Sequence, residues 1–104
     1  MIVGTPGGST IITSVFQVIL NVLEFGMTMQ EAVDAPRFHH QWKPDTIQAS
    51  RDALTTETRA TLKEMGHEIR ERDPIGRVDA ILVLPDGRLE GGVDPRGDDA
   101  SSGF

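Results

Sequence analysis

The sequence of 104 residues predicts an α+β fold in which helices stack on a β-sheet. Two features predict it: a strongly apolar helical segment over Ile11 to Phe25, and a β-hairpin over residues 78–93. The elements in order are a strand stub, two helices, an extended stretch, a third helix and then strands. The length allows one domain or part of one, and 38% apolar with 25% charged residues is ordinary for a globular protein.

The first elements surround a glycine-containing loop. Met1-Ile2-Val3 is interpreted as the last part of a strand that is cut off on its N-terminal side. The loop Thr5-Pro6-Gly7-Gly8 leads into the first helix, which Ser9 or Thr10 is expected to cap. Since the helix is apolar on more than one face, it is predicted to be buried, and Gly26 supplies its left-handed stop.

The second helix is short. Thr28-Met29-Gln30-Glu31 matches a capping box, which predicts a helix through about Asp34. Pro36 ends this helix because the residue before a proline is pushed out of helical geometry. Residues 37–49 are predicted to be extended, with a turn at Lys43-Pro44-Asp45.

The third helix is predicted from about Thr56 to Met65, with Gly66 closing it. Its apolar positions are sparse, so it is expected to lie on the surface. Glu68 to Arg72 alternates weakly between apolar and polar residues and is predicted to be an edge strand.

The terminal hairpin carries the strongest strand signal. Val78 to Leu84 is nearly continuously apolar, which predicts a strand that is covered on both faces. Pro85-Asp86-Gly87 is a hairpin turn signal. Leu89 to Val93 forms the return strand, in which Gly91 and Gly92 leave room for close backbone approach.

Charge and composition exclude several classes of function. The net charge is −6 and no basic patch is present, so nucleic acid and anionic membrane are not expected partners. The sequence contains no cysteine, which excludes disulfides and thiolate sites. The apolar run after the glycine loop is too short and too polar to span a bilayer. No signal peptide is visible at Met1, and the localisation stays unknown.

The glycine loop is the strongest candidate for chemistry. Gly7 and Gly8 precede a helix, so backbone N–H groups point at an open position with the positive end of the helix behind them. Such a position holds negative charge, either a bound anion or the oxyanion of an acyl-transfer intermediate. A bare glycine pair is also typical of a structural turn. The loop lacks a P-loop ending, and Ser9 lies in no nucleophile elbow, so that serine is interpreted as a helix cap.

The remaining motifs have structural interpretations. The pair His39-His40 is not expected to bind a metal, because adjacent strand residues point to opposite faces and no further ligands surround it. Trp42 is predicted to pack against the body of the protein. Asp94-Pro95-Arg96 is predicted to be a turn held by an ion pair. Arg37 and Arg96 are candidates for buried or partly buried pairing with a carboxylate.

Taken together, these motifs resemble the C-terminal end of the small subunit of the γ-glutamyltransferase (γ-glutamyltranspeptidase) family. They cover essentially the whole chain, and their order and spacing argue against coincidence. The segments that carry the resemblance are Pro6-Gly7-Gly8-Ser9, Gln17 to Asn21, Glu31-Ala32, Ala35 to Trp42, Pro44-Asp45, Pro85-Asp86-Gly87 and Asp94-Pro95-Arg96.

The resemblance implies part of an N-terminal-nucleophile hydrolase fold, an αββα sandwich. In that family a precursor cuts itself, and the new N-terminal threonine attacks the γ-glutamyl amide of glutathione or a similar donor, with its own α-amino group as base. The acyl group then passes to water, an amino acid or a peptide, and no cofactor or metal is implied. Gly7 and Gly8 match the pair that holds the oxyanion, and Arg37, Asp94 and Arg96 are given structural roles. The family resemblance suggests a periplasmic or extracellular location.

The chain also departs from the family pattern. The nucleophilic threonine, a serine pair and the residues that hold the glutamyl α-carboxylate and α-amino group would lie upstream of Met1. Residues 1–104 are therefore expected to form the C-terminal portion of a small-subunit domain, a single and incomplete domain whose partners are the rest of that subunit and the large subunit. Gly103-Phe104 fits the family's usual chain end. Alone, the chain is expected to be inactive and to self-associate through uncovered apolar surface.

Two alternatives stay open at this point. The chain could be a naturally short, catalytically dead relative that serves as a binding or scaffold module. It could also belong to an acyl hydrolase of the same fold with a different amide substrate, because the residues that select the donor are not in this sequence.

Overall fold

The computed structural model describes residues 1–103 and divides into two compact units. The first unit holds residues 1–35 and 76–103, and the second holds residues 36–75. The first unit contains β1 (Ile2–Gly4), α1 (Thr10–Leu23), α2 (Met29–Asp34), β5 (Asp79–Val83) and β6 (Leu89–Val93). The second contains β2 (Phe38–His39), β3 (Thr46–Ala49), α3 (Thr56–Glu64) and β4 (Glu68–Glu71). The predicted chain end at Phe104 lies outside the described residues.

The sheet of the first unit has the order β1-β5-β6, and both strand pairs are antiparallel. Ile2 pairs with Ile81, and Asp79 pairs with Val93. The turn between β5 and β6 is the predicted one, with Gly87 at a φ of 86°. The hairpin prediction is therefore confirmed, including the bounds of its return strand.

The core of the first unit lies between α1, α2 and one face of this sheet. Its buried members are Val18, Met29, Ala32, Val33, Val78 and Ala80. A Cβ atom on Gly92 would lie 2.7 Å from the Met29 carbonyl oxygen, so only glycine lets α2 approach β6 this closely. The prediction of close backbone approach at Gly92 is confirmed.

Two predictions about burial are wrong for this chain. Along α1 the buried residues are only Thr10, Ser14 and Val18, spaced by four residues on one face, whereas Ile12 is 79% exposed. Burial along β5 alternates instead of being continuous, and Val83 is 54% exposed. One stripe of α1 and one face of β5 are covered, whereas Ile12 on α1 and Val83 on β5 stay largely exposed among the described residues.

Helix termini follow local sequence signals closely. Thr28 and Glu31 form the predicted capping box at α2, with the Glu31 backbone N–H 3.1 Å from Thr28 Oγ1 and the Thr28 N–H 2.8 Å from Glu31 Oε2. Ala35 leaves helical geometry before Pro36, as expected. Gly26 has a φ of 65°, which is the predicted left-handed stop of α1.

The second unit is built around a separate three-stranded sheet of order β2-β3-β4. The pairing of β2 with β3 is antiparallel, and that of β3 with β4 is parallel. Strand β4 lies at the predicted edge. Helix α3 has no buried residue, as its sparse apolar pattern indicated, and Gly66 closes it with a φ of 95°.

Candidate functional site

The glycine loop, residues 5–9, connects β1 to α1. Gly7 has a φ of 136° and Gly8 a φ of 59°, backbone conformations that side chains rarely adopt. The Gly7 carbonyl oxygen accepts from the Thr10 backbone N–H at 3.2 Å, and the Gly8 carbonyl oxygen accepts from the Ile11 N–H at 3.2 Å. The carbonyl groups of both glycines are thus turned toward the first turn of α1.

The N–H groups of the same two glycines are left open. Both residues are exposed, and among residues 1–103 neither backbone N–H donates a hydrogen bond. Because they precede the N-terminus of a helix of 14 residues, the positive end of its dipole adds to their attraction for negative charge. The loop can therefore bind an anionic oxygen through its backbone alone.

The two positions differ in what a side chain would meet there. A Cβ atom on Gly7 would lie 2.6 Å from Thr10 Oγ1, closer than real Cβ contacts come. A Cβ atom on Gly8 would meet nothing within 4 Å. At Gly7 a side chain would displace the loop, whereas at Gly8 it would occupy open space beside the exposed N–H groups.

The cap of α1 differs from the predicted one. Ser9 occupies the N-cap position but lies in the right-handed helical region and forms no side-chain capping bond. Thr10, which is buried, donates instead from its hydroxyl to the Gly7 carbonyl oxygen at 2.9 Å. The hydroxyl at the start of α1 thereby fixes the orientation of the Gly7 peptide, a role that the sequence pattern did not indicate.

Asp94 and Arg96 form an ion pair at the end of β6, with Arg96 Nη1 2.9 Å from Asp94 Oδ1. The Asp94 carboxylate is fully buried and also accepts from the Val78 backbone N–H at 2.7 Å. The Arg96 guanidinium donates to the carbonyl oxygens of Val33 and Ala35, each at 3.1 Å. This network joins the start of β5, the end of β6 and the C-terminal carbonyl groups of α2.

Arg37 is also buried, at the start of the second unit. Its Nη1 atom donates to the Ile75 carbonyl oxygen at 2.8 Å, and its backbone N–H donates to Ser50 Oγ at 3.4 Å. The Arg37 carbonyl oxygen accepts from the Ser50 N–H at 2.8 Å. These contacts tie together both ends of the second unit and the residue after β3.

Both histidines form side-chain hydrogen bonds, as expected, whereas Trp42 does not lie where it was predicted. His39 is buried with Nε2 2.9 Å from Gln41 Oε1, and His40 Nε2 lies 2.9 Å from Asp45 Oδ1. In the described part of the chain, no group of three or more metal-ligating side chains comes together. Trp42 is 73% exposed at a φ of 69°, so the prediction that it packs against the body is wrong for this chain.

Two perturbed side chains lie outside the glycine loop. The pKa of the Asp86 carboxyl lies below its ordinary value, chiefly because the Arg88 backbone N–H donates to it at 3.0 Å and then because the Arg88 side chain does. The pKa of Arg51 is raised by its hydrogen bond to Glu71. Asp86 belongs to the β5–β6 turn and Arg51 follows β3, so neither group is part of the glycine loop.

Comparisons with known proteins show the family of this chain. A sequence model of the γ-glutamyltranspeptidase family matches residues 1–104. The chain is 39% identical over 105 residues to the glutathione hydrolase proenzyme of Escherichia coli, which covers 100% of this chain. It is 44% identical over 101 residues to that of Pseudomonas aeruginosa, covering 93% of this chain. The chain spans 18% of the length of both relatives.

More distant relatives include acylases. The chain is 33% identical over 96 residues to the Acylase ACY 1 proenzyme of Pseudomonas sp. strain V22, covering 91% of this chain and 17% of the relative.

No helix among residues 1–103 has the length and apolar character needed to cross a membrane.

Solved structures give the same result. The γ-glutamyltranspeptidase of Pseudomonas nitroreducens complexed with L-DON matches with a TM-score of 0.87 and 41% identity, covering 98% of this chain and 54% of that one. The Bacillus anthracis transpeptidase CapD, 19% identical with a TM-score of 0.84, shares the fold. The predicted fold class, α+β and part of an N-terminal-nucleophile hydrolase sandwich, is confirmed. Because the family's sequence model matches residues 1–104, the full length of this sequence, the chain belongs to the γ-glutamyltranspeptidase family.

Proposed function

We propose that this chain is the C-terminal part of an enzyme that transfers the γ-glutamyl group of glutathione-like amides to water, amino acids or peptides. Its own contribution is the oxyanion hole, formed by the backbone N–H groups of Gly7 and Gly8. The observation that carries the proposal is that both N–H groups are exposed and unused at the N-terminus of α1. The names of the relatives, glutathione hydrolase proenzymes, support the substrate class.

The chemistry divides between this chain and the part of the enzyme that precedes it. An N-terminal threonine there gives its hydroxyl proton to its own α-amino group, and its oxygen attacks the amide carbonyl carbon. The carbonyl oxygen gains negative charge as the tetrahedral intermediate forms, and Gly7 and Gly8 donate to it. The C–N bond then breaks and the leaving amine takes the proton. Water or an amine next attacks the acyl-enzyme and gives up a proton, and the ester bond breaks, which restores the threonine hydroxyl. One oxyanion donor is worth about 3 kcal/mol of transition-state stabilisation.

The test is a chimera in which this chain replaces the matching segment of the E. coli proenzyme, a region 39% identical to it. We expect the chimera to hydrolyse glutathione and the purified chain of 104 residues to release no glutamate, because the chain lacks the nucleophile. Glutathione hydrolysis by the purified chain, or an inactive but folded chimera, would contradict the proposal. The unmodified E. coli proenzyme is the positive control.

Direct measurements can distinguish the proposed function from two others, an amide hydrolase with a different acyl donor and a non-catalytic module. The 33% identity to acylase proenzymes supports an amide hydrolase with a different acyl donor. The identity to glutathione hydrolases is higher, at 39% and 44%, and supports the proposed function instead. Assays of the protein from its source, with glutathione and with other acyl amides, distinguish the two. The intact mass and N-terminal residue of that protein test the third function, a non-catalytic binding or scaffold module, since a native start at Met1 would remove the nucleophile.

The isolated chain is expected to self-associate, because apolar residues of α1 and of the outer sheet face are exposed. These are Ile12, Phe16, Leu23, Ile81, Val83 and Leu89. Burial of such surface drives association, and in the full enzyme we propose that the rest of the small subunit and the large subunit cover it. Size-exclusion chromatography with light scattering measures the mass.

A matched pair of variants tests which surface is responsible. The double variant Ile12→Glu, Phe16→Glu places charges on the exposed face of α1 and is expected to shift the chain toward monomer. Met65→Glu alters an apolar residue of similar exposure at the end of α3 and is expected to change nothing. A monodisperse monomer before any substitution would refute this prediction.

A further inference from the structure

We propose that Thr5 and Gly76 are positioning residues for the oxyanion hole, an inference that rests on the proposed function. Neither residue is proposed to contact the substrate. Both lie where the glycine loop meets the segment that leads into β5, residues 76–78. Their role is to hold the N–H groups of Gly7 and Gly8 in place.

The Thr5 hydroxyl forms two hydrogen bonds that join these segments. Its Oγ1 atom accepts from the Arg77 backbone N–H at 2.8 Å, across 72 residues of sequence. The same hydroxyl donates to the Pro6 carbonyl oxygen at 2.7 Å. Because the Pro6 carbonyl belongs to the peptide unit whose N–H is that of Gly7, the Thr5 hydroxyl fixes the orientation of one oxyanion donor.

Gly76 lets the two segments pack without a side chain between them. It has a φ of 70°, and a Cβ atom there would lie 2.5 Å from Ser14 Oγ and 3.3 Å from Thr5 Oγ1. Conversely, a Cβ atom on Gly7 would lie 3.9 Å from the Gly76 Cα atom. The backbone of Gly76 therefore lies directly behind the glycine loop, between Thr5 and the second turn of α1.

The segment behind the loop is itself anchored to the sheet. Consecutive N–H groups are bound by side chains, that of Arg77 by Thr5 and that of Val78 by the buried Asp94 carboxylate at 2.7 Å. From the other side, the Thr10 hydroxyl holds the Gly7 carbonyl at 2.9 Å. The glycine loop is thus fixed by hydrogen bonds from both flanks, as a preorganised oxyanion hole requires.

The test uses Thr5→Val and Thr5→Ser in the E. coli chimera. Valine keeps the branched shape but loses both hydrogen bonds, whereas serine keeps the hydroxyl. We expect Thr5→Val to lower kcat for glutathione hydrolysis about tenfold with KM changed less than about twofold, since misplaced donors weaken transition-state binding. Thr5→Ser is expected to restore kcat. Thr5→Ala repeats the test without the branch if the valine variant is not recovered folded.

The outcomes separate this inference from the proposed function. A folded Thr5→Val variant with normal kcat, beside a Gly7→Ala variant that is nearly inactive, would overturn the positioning role and leave the oxyanion hole intact. A Gly7→Ala variant with normal kcat would overturn the oxyanion hole itself. Two further results would overturn the positioning role. One is a Thr5→Ser variant whose kcat is as low as that of Thr5→Val. The other is a Thr5→Val variant that loses kcat/KM only because its KM rises. In the Gly7→Ala background, Thr5→Val is expected to add little, because both act through one loop.

Discussion

Gly7→Ala in the E. coli chimera is expected to lower kcat for glutathione hydrolysis by about 100-fold or more, the scale of losing an oxyanion donor. The new Cβ atom would lie 2.6 Å from Thr10 Oγ1, a contact that is relieved only if the loop moves or the Thr10 hydroxyl gives up its bond to the Gly7 carbonyl oxygen. A φ of 136° adds backbone strain for any residue other than glycine. Both effects displace the N–H group of residue 7, whereas the residues that bind the glutamyl group are expected outside residues 1–104, so KM is expected to change much less than kcat.

Gly8→Ala and Gly26→Ala form a matched pair that separates strain from chemistry. Gly8 has a φ of 59° and Gly26 a φ of 65°, and a Cβ atom on either would meet nothing within 4 Å. The cost of left-handed backbone for alanine is therefore similar at both positions, about 1–2 kcal/mol. Only the methyl group on residue 8 would lie beside the exposed N–H groups.

Steady-state kinetics and thermal unfolding of Gly7→Ala, Gly8→Ala and Gly26→Ala separate the effect on catalysis from the effect on stability. We expect similar small losses of stability for Gly8→Ala and Gly26→Ala. Of these two variants, only Gly8→Ala is expected to have a lower kcat. Equal kcat values for these two variants would mean that Gly8 serves only the turn. Normal kcat for Gly7→Ala would remove the oxyanion role from the loop.

Features encoded by neighbouring residues could be predicted from the sequence. The capping box from Thr28 to Glu31, the stop at Gly26 and the turn at Pro85-Asp86-Gly87 each depend on a few adjacent residues, and the structure has all three. The position of the glycine loop belongs to the same class, because two glycines before an apolar helix mark where the chain enters α1, although the orientation of its N–H groups also depends on distant contacts. For this reason its position could be predicted without any knowledge of tertiary contacts.

Features that depend on distant parts of the chain could not be predicted in the same way. Apolar residues all round α1 and along β5 indicated full burial, but burial also needs a partner for each face, and Ile12 and Val83 stay mostly exposed among residues 1–103. The contact of Thr5 with Arg77 spans 72 residues, and no local pattern marks either residue.

Asp94→Asn is expected to lower the free energy of unfolding of the chain by about 3–5 kcal/mol, the cost of breaking a buried ion pair. Asp94 Oδ1 accepts from the Arg96 side chain at 2.9 Å and from the Arg96 N–H at 3.0 Å, while Oδ2 accepts from the Val78 N–H at 2.7 Å. An asparagine turns an NH2 group toward one of these donors and leaves the largely buried Arg96 guanidinium without its counter-charge. Because a domain has only about 5–15 kcal/mol of stability, this loss is a large part of the whole.

Asp86→Asn is the control, because Asp86 and Arg88 form an Asp-x-Arg pair of the same spacing on the surface. Arg88 Nε lies 2.6 Å from Asp86 Oδ2, and both side chains are exposed. Exposed pairs contribute about 0–1 kcal/mol. Urea unfolding followed by far-ultraviolet circular dichroism measures both variants. Equal losses would show that burial adds nothing to the Asp94 network, whereas a loss confined to Asp94→Asn places the stability of this unit in the link that Asp94 and Arg96 make between the sheet and α2.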